Sequence, residues 1–159
     1  MKMKITDIYR YWQILGDSPY GRWIFNHLIP FINPYTGALK ANIVELRKGY
    51  ARTELKDRRG IRNHLNSIHA IALTNLGEFT SGLALISLFS ENMRGIPIQI
   101  KINFLKKARG KLTAECSTQL PIFNDETEHT ITAIIKDGDN DEVANVIVVW
   151  KLGYKTDPL

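Results

Sequence analysis

The sequence predicts an α+β domain in which an antiparallel sheet wraps around one long buried helix. Three observations carry that expectation. Residues 68–89, IHAIALTNLGEFTSGLALISLF, hold one formal charge, Glu78, and are apolar all round, as befits a helix buried on most sides. Before and after it run segments in which apolar and polar residues alternate with period two, the mark of strands with one wet face. No internal repeat, linker or low-complexity tract divides the 159 residues, so a single domain, 1–159, is expected.

The elements follow in order. Residues 17–32 read as an N-terminal helix: Asp17 or Ser18 caps it, Pro19 suits its first turn, and Trp23, Ile24, His27, Leu28 and Phe31 recur at helical spacing. Pro30 and Asn33-Pro34 should end it. Sheet is expected over 37–58. Leu39, Ala41 and Ile43 alternate with Lys40 and Asn42, and Ala51, Thr53 and Leu55 alternate with Arg52, Glu54 and Lys56 across a turn near Gly49. The central helix, 68–89, is long enough for a membrane span, but Glu78, His69 and Asn75 and the lack of Trp or Tyr anchors at its ends argue against one. Sheet resumes over 96–152. Ile96, Ile98, Ile100, Ile102 and Phe104 alternate with polar residues, as do Leu112, Ala114, Cys116, Thr118 and Leu120. Two further strands flank a turn at Asp137-Gly138-Asp139-Asn140, and Pro97 belongs at a strand start or on an edge.

Composition narrows the function classes. Hydrophobic residues are 44% and charged residues 23%, which excludes a disordered chain. A lone cysteine, Cys116, excludes a disulfide framework and fits a reducing compartment; with no secretory pattern at the N-terminus, a cytoplasmic location is expected. The net charge of +5 is uneven. Basic residues cluster over 47–62 and again over 101–111, whereas 125–142 is acidic. Such clusters suit a small phosphorylated ligand or a phosphodiester backbone. No recognition-helix or aromatic RNA-binding pattern accompanies them, so no nucleic-acid partner is expected. His64 and His69 are five residues apart and do not share a helical face, and no metal site is expected. Thr80, Ser81 and Ser67 have no spacing suited to a nucleophile triad.

The chemistry concentrates in Arg62-Asn63-His64-Leu65-Asn66-Ser67-Ile68-His69-Ala70 and in Glu78. A carboxylate inside an apolar helix is costly to ionise, so its pKa should rise, as suits a general base or nucleophile in a dry pocket. If His69 and Glu78 share a helix, nine residues at about 100° each put them on roughly opposite faces, about 13 Å apart along the axis. A site using both needs two chains.

Asn63, His69 and Glu78 resemble, in spacing, the motif of hotdog-fold acyl-CoA thioesterases of the phenylacetyl-CoA thioesterase type. There an asparagine is followed six residues later by His-Gly-Gly and nine residues after that by a carboxylate. The sequence departs from the motif in having His69-Ala70-Ile71 for His-Gly-Gly and Glu78 for the usual aspartate. The resemblance covers roughly residues 37–152. It implies a curved sheet around the central helix, active sites at a dimer interface, and a homodimer or dimer of dimers. It also implies an acyl-CoA substrate hydrolysed to free acid and coenzyme A without a separate cofactor. The Ala70 N–H at the helix N-terminus would stabilise the oxyanion, and Asn63 would position the carbonyl or water. His69 would donate a hydrogen bond there or cap the helix, and Glu78 would act as general base or as nucleophile. Lys106, Lys107 and Arg109 would hold the coenzyme A phosphates. The alternative is a non-catalytic hotdog protein binding acyl-CoA or an acyl carrier protein, motivated by the missing glycines.

Overall fold

A computed structural model of the protein describes residues 7–155. The ends of the expected 1–159 domain lie outside them. Three helices lead the chain: α1 (Ile8–Leu15), α2 (Pro19–Ile32) and α3 (Pro34–Leu39). Strands β1 (Asn42–Arg47) and β2 (Tyr50–Leu55) follow, then the central helix α4 (Ala70–Ile86). The remaining strands are β3 (Met93–Phe104), β4 (Leu112–Ser117), β5 (Thr127–Lys136) and β6 (Glu142–Tyr154). One antiparallel six-stranded sheet results, in the order β1-β2-β4-β5-β6-β3. Its concave face closes on α4, whose Leu73, Leu76, Phe79, Leu83 and Leu85 join the inward residues of every strand pair in one core. This is the expected α+β architecture.

The N-terminal third departs from expectation. Residues 8–15 form a helix that the sequence reading does not contain; Ile8 and Trp12 are buried one turn apart, and Trp12 meets Phe25 of α2 edge-to-face at 5.2 Å. Helix α2 starts at the expected cap, with Ser18 Oγ accepting from the Gly21 amide at 2.9 Å, and ends at Ile32 as expected, with Pro30 inside its last turn rather than ending it. Residues 34–39 are helical rather than the opening of a strand, so Leu39 belongs to α3. Asn33 Oδ1 caps α3 by accepting from the Thr36 amide, and Lys40, at φ 55°, closes it in the left-handed region. A side chain at Gly37 would collide with Pro30, so glycine lets α3 lie directly on α2.

Helix α4 is shorter than its apolar run. Its 17 residues begin at Ala70, because His69 is the N-cap, and Ser87–Phe89 turn out of it. Strand β3 occupies a sheet edge, which accommodates Pro97. Its alternation is interrupted there. Pro97 faces Trp150 but Gln99 faces Val149, so Ile98 is the extra residue of a bulge. Ile100 and Ile102 consequently share a face with Val148 and Val146, whereas Ile96 shares one with Lys151. Among the described residues no helix is long and apolar enough to cross a membrane.

Candidate active site

The loop leading into α4 is organised by Asn63. Its Oδ1 accepts from the amides of Leu65 (2.9 Å) and Ser67 (3.2 Å), and its backbone amide donates to Ser67 O at 2.8 Å. Asn66 takes φ 52° at the tip. Ile68 N and Ser67 Oγ both donate to Ala108 O, which ties this loop to the segment between β3 and β4. Asp57 adds a second tie, pairing with Arg62 at 2.7 Å while accepting from the Gly110 amide. The Arg62 hydrogen bond holds its carboxyl below the usual aspartate range. The carbonyl oxygen of Asn63 is therefore committed to the turn, and only its NH2 group is left to meet a ligand.

His69 caps α4: its Nδ1 accepts from the Ile71 amide at 3.1 Å. Ala70, as first residue of the helix, keeps an N–H without an intrahelical acceptor, at the positive end of the helix dipole. Asn63, Ala70, Lys106 and Lys107 line one cavity of about 400 Å³, together with the apolar Ile68, Leu73, Phe104 and Leu105. Among the basic residues expected at a phosphate site, Lys106 is already held by Asp137 at 2.7 Å and Asp141 at 2.8 Å. Those two hydrogen bonds raise its ammonium well above the ordinary lysine value. Arg109 lies across the loop, with Nη2 donating to Leu65 O at 3.4 Å.

Glu78 is elsewhere. It lines a second cavity of about 420 Å³ among Ile8, Ile29, Ile32, Phe79, Leu83, Ile86 and Trp150, between the N-terminal helices and the β6–β3 edge. Burial alone raises its pKa, and its carboxylate has no hydrogen-bond or ion-pair partner among the described residues. The two cations on the rim are engaged otherwise, Arg94 with Glu126 and Lys155 with the Glu91 carbonyl. The structure thus brings Asn63, Ala70, Lys106 and Lys107 together and sets Glu78 apart from them within one chain.

Two polar groups escaped the sequence reading. Asn75 Oδ1 is buried without a hydrogen-bond donor, one helical turn before Glu78 on the same face; their three-residue spacing was the available signal. Trp150 Nε1 is buried without an acceptor in a residue that lines the Glu78 cavity. Its sequence context, an alternating strand, marks it only as core. Cys116 is a core residue, its thiol pushed up to about 12 by burial. No group of three or more His, Cys, Asp or Glu residues suited to a metal occurs among the described residues.

A sheet closed around a lone central helix, with a polar loop at the helix N-terminus, is the hotdog architecture. The chain belongs to the family described as Domain of unknown function (DUF4442), which matches residues 21–152. Solved structures share the fold at low identity. The structure named genomics APC5556 superposes with a TM-score of 0.80 at 23% identity, covering 93% of this chain and 99% of that one. PA5026 of Pseudomonas aeruginosa, described as a probable thioesterase, gives 0.71 at 19% identity, covering 82% and 93%. A variant of the thioesterase SAV0944 of Staphylococcus aureus gives 0.65 at 16% identity, covering 80% and 98%. No curated protein matches the chain. At these identities the likeness establishes the fold.

Proposed function

We propose that the protein hydrolyses an acyl-CoA thioester to free acid and coenzyme A at a site built from two copies of the chain. The observation that carries this reading is Glu78, a desolvated carboxylate without a partner in an apolar cavity large enough for an acyl group. The thioesterases among its structural neighbours support the reaction class.

In this reading the thioester carbonyl of the substrate lies against the Ala70 N–H of one copy, where the helix dipole stabilises the oxyanion. The Asn63 NH2 group orients the carbonyl, and His69 holds the first turn of α4 in place by its cap. Glu78 of the other copy takes a proton from water as the water attacks the carbonyl carbon. The tetrahedral adduct then collapses, the C–S bond breaks, and the proton returns to the departing sulfur. Lys107 and Arg109, neither paired with a carboxylate among the described residues, are the cations that meet coenzyme A phosphates, Lys106 being held by Asp137 and Asp141 of the β5–β6 turn.

Two chains are needed because α4 separates its own N-terminus from Glu78. Strand β3 supports the pairing: it is a sheet edge whose Ile96, Ile98 and Ile100 are exposed in the single chain. Wild type and Glu78→Gln should be assayed against short, medium and aryl acyl-CoAs. Hydrolysis by wild type and loss of about a hundredfold or more in the variant is the expected result. Binding of acyl-CoA without turnover in either protein would favour the acyl-binding module instead, since Ala70-Ile71 replace the glycines of the related motif.

A further inference from the structure

Helix α2 is amphipathic in an unusual sense. Gly21, Phe25 and Ile29 pack inward, but the opposite face is aromatic where a surface helix ordinarily carries charge. Tyr20 is 72% exposed, Trp23 57% and Phe31 84%, and Tyr35 on α3 is 70% exposed. They do not stand singly. The Tyr20 and Trp23 rings stack at 6.0 Å, and Trp23 meets the His27 ring at 4.2 Å. His27 and Pro30 then form one wall of a groove of about 410 Å³ whose other lining residues include Lys40, Lys56 and Arg58.

No carboxylate lines that groove, and no Asp or Glu occurs between Asp17 and Glu45. Arg58 is fixed there, with Nη2 donating to the carbonyls of Ala38 and Leu39 that end α3, while its Nε is buried without an acceptor. Lys40, exposed, closes α3 in the left-handed region. The face therefore joins aromatic rings to cations with no acid between them.

We propose that this face, the outer side of α2 and α3 with the cationic groove beside His27, docks on an anionic lipid bilayer. Tryptophan and tyrosine favour the headgroup level, where the ring is desolvated and its polar atom stays wet. Phe31 supplies an apolar wedge. Lys40, Lys56 and Arg58 meet lipid phosphates, each cation adding attraction that salt screens. A second copy of the chain is a poorer occupant, since a twofold contact sets this cation cluster against its own image. The inner face of the same helix walls the Glu78 cavity through Ile29 and Ile32, so docking would bring that cavity to the membrane, where long acyl chains partition.

The test uses the full chain with vesicles of phosphatidylcholine, alone or mixed with phosphatidylglycerol, in a flotation assay. The expected result is flotation with the mixed vesicles only, reversed by high salt. Trp12 and Trp150 are buried, so a blue shift of emission on binding should come from Trp23 and vanish in Trp23→Phe. Trp23→Ser with Phe31→Ser should abolish flotation, and Lys40→Glu with Lys56→Glu should weaken it by about tenfold or more, with melting curves unchanged. No flotation, equal flotation with phosphatidylcholine alone, or emission that stays unshifted overturns the proposal. So does a change of sedimentation coefficient in the patch variants, which would make the face a contact between copies.

Discussion

Thr53 of β2 and Thr80 of α4 share a 2.7 Å hydrogen bond between two fully buried hydroxyls. Thr80 Oγ1 also lies 2.7 Å from the Leu76 carbonyl, to which it donates, so its proton is committed and Thr53 must be the donor to Thr80. The bond sets the rotation of α4. With Thr80 turned onto β2, Glu78, two residues and about 200° away, faces the other side, into the cavity beneath α1 and α2.

That donor order makes the pair asymmetric. Thr80→Val leaves the Thr53 hydroxyl buried with a proton and no acceptor, at a cost of about 1–3 kcal/mol. Thr53→Val removes the donor and should cost less. The double variant should be no less stable than Thr80→Val alone, because the stranded hydroxyl is gone. Urea unfolding of the four proteins measures this, and equal losses for both single variants would reverse the assignment.

The sheet and its central helix were legible because their patterns are local: period two in the strands, and apolar residues around the whole circumference of α4. The failures were equally physical. Leu39, Ala41 and Ile43 alternate, but Asn33 caps a helix across the first of them, and Gly37 lets that helix rest on Pro30. The bulge at Ile98 leaves no trace in an alternation that continues through it, since only the partner strand counts the extra residue. At the candidate site, the N-cap at His69, one of two roles open to that residue, follows from its type and position. The capture of Lys106 by Asp137 and Asp141 does not, because the segment after β3 and the β5–β6 turn meet only in the folded chain.

Under the proposed function, that capture separates Lys106 from Lys107 and Arg109. Lys107→Ala and Arg109→Ala should each raise KM for an acyl-CoA more than they lower kcat, as expected for uniform binding of distant phosphates. Lys106→Ala should change KM little. Steady-state kinetics on the three variants decides it; an equal rise in KM for Lys106→Ala would show that its carboxylate partners release it to the substrate.

The edge strand makes a prediction about size. Wild type should sediment at a multiple of 18.1 kDa at micromolar concentration. Ile100→Lys places a charge on the exposed part of β3 without touching Glu78 or Asn63, and should yield a folded single chain without hydrolytic activity. An 18 kDa wild-type particle, or an active single-chain variant, would sink the two-copy site.

In the proposed mechanism Glu78 links catalysis to stability with a definite sign. Burial raises its folded pKa above the ordinary 4.5, with no cation offsetting it. Between that value and the raised one, the folded chain holds a proton that the unfolded chain has released. Stability therefore falls as pH rises through this window, and the loss is complete above the folded pKa. Glu78→Gln keeps the shape but abolishes the titration. Variant and wild type should melt alike below about pH 4.5, where Glu78 is protonated in both states. The variant should become the more stable as pH climbs to neutrality. In the proposed mechanism catalysis needs the ionised form, so wild-type kcat/KM should fall on the acid side with an apparent pKa above that of an ordinary carboxylate. Melting curves of both proteins across pH, with a rate profile of wild type, test the two halves together. A melting difference that stays constant with pH would mean that the carboxylate is solvated, and the dry cavity would lose its part in the mechanism.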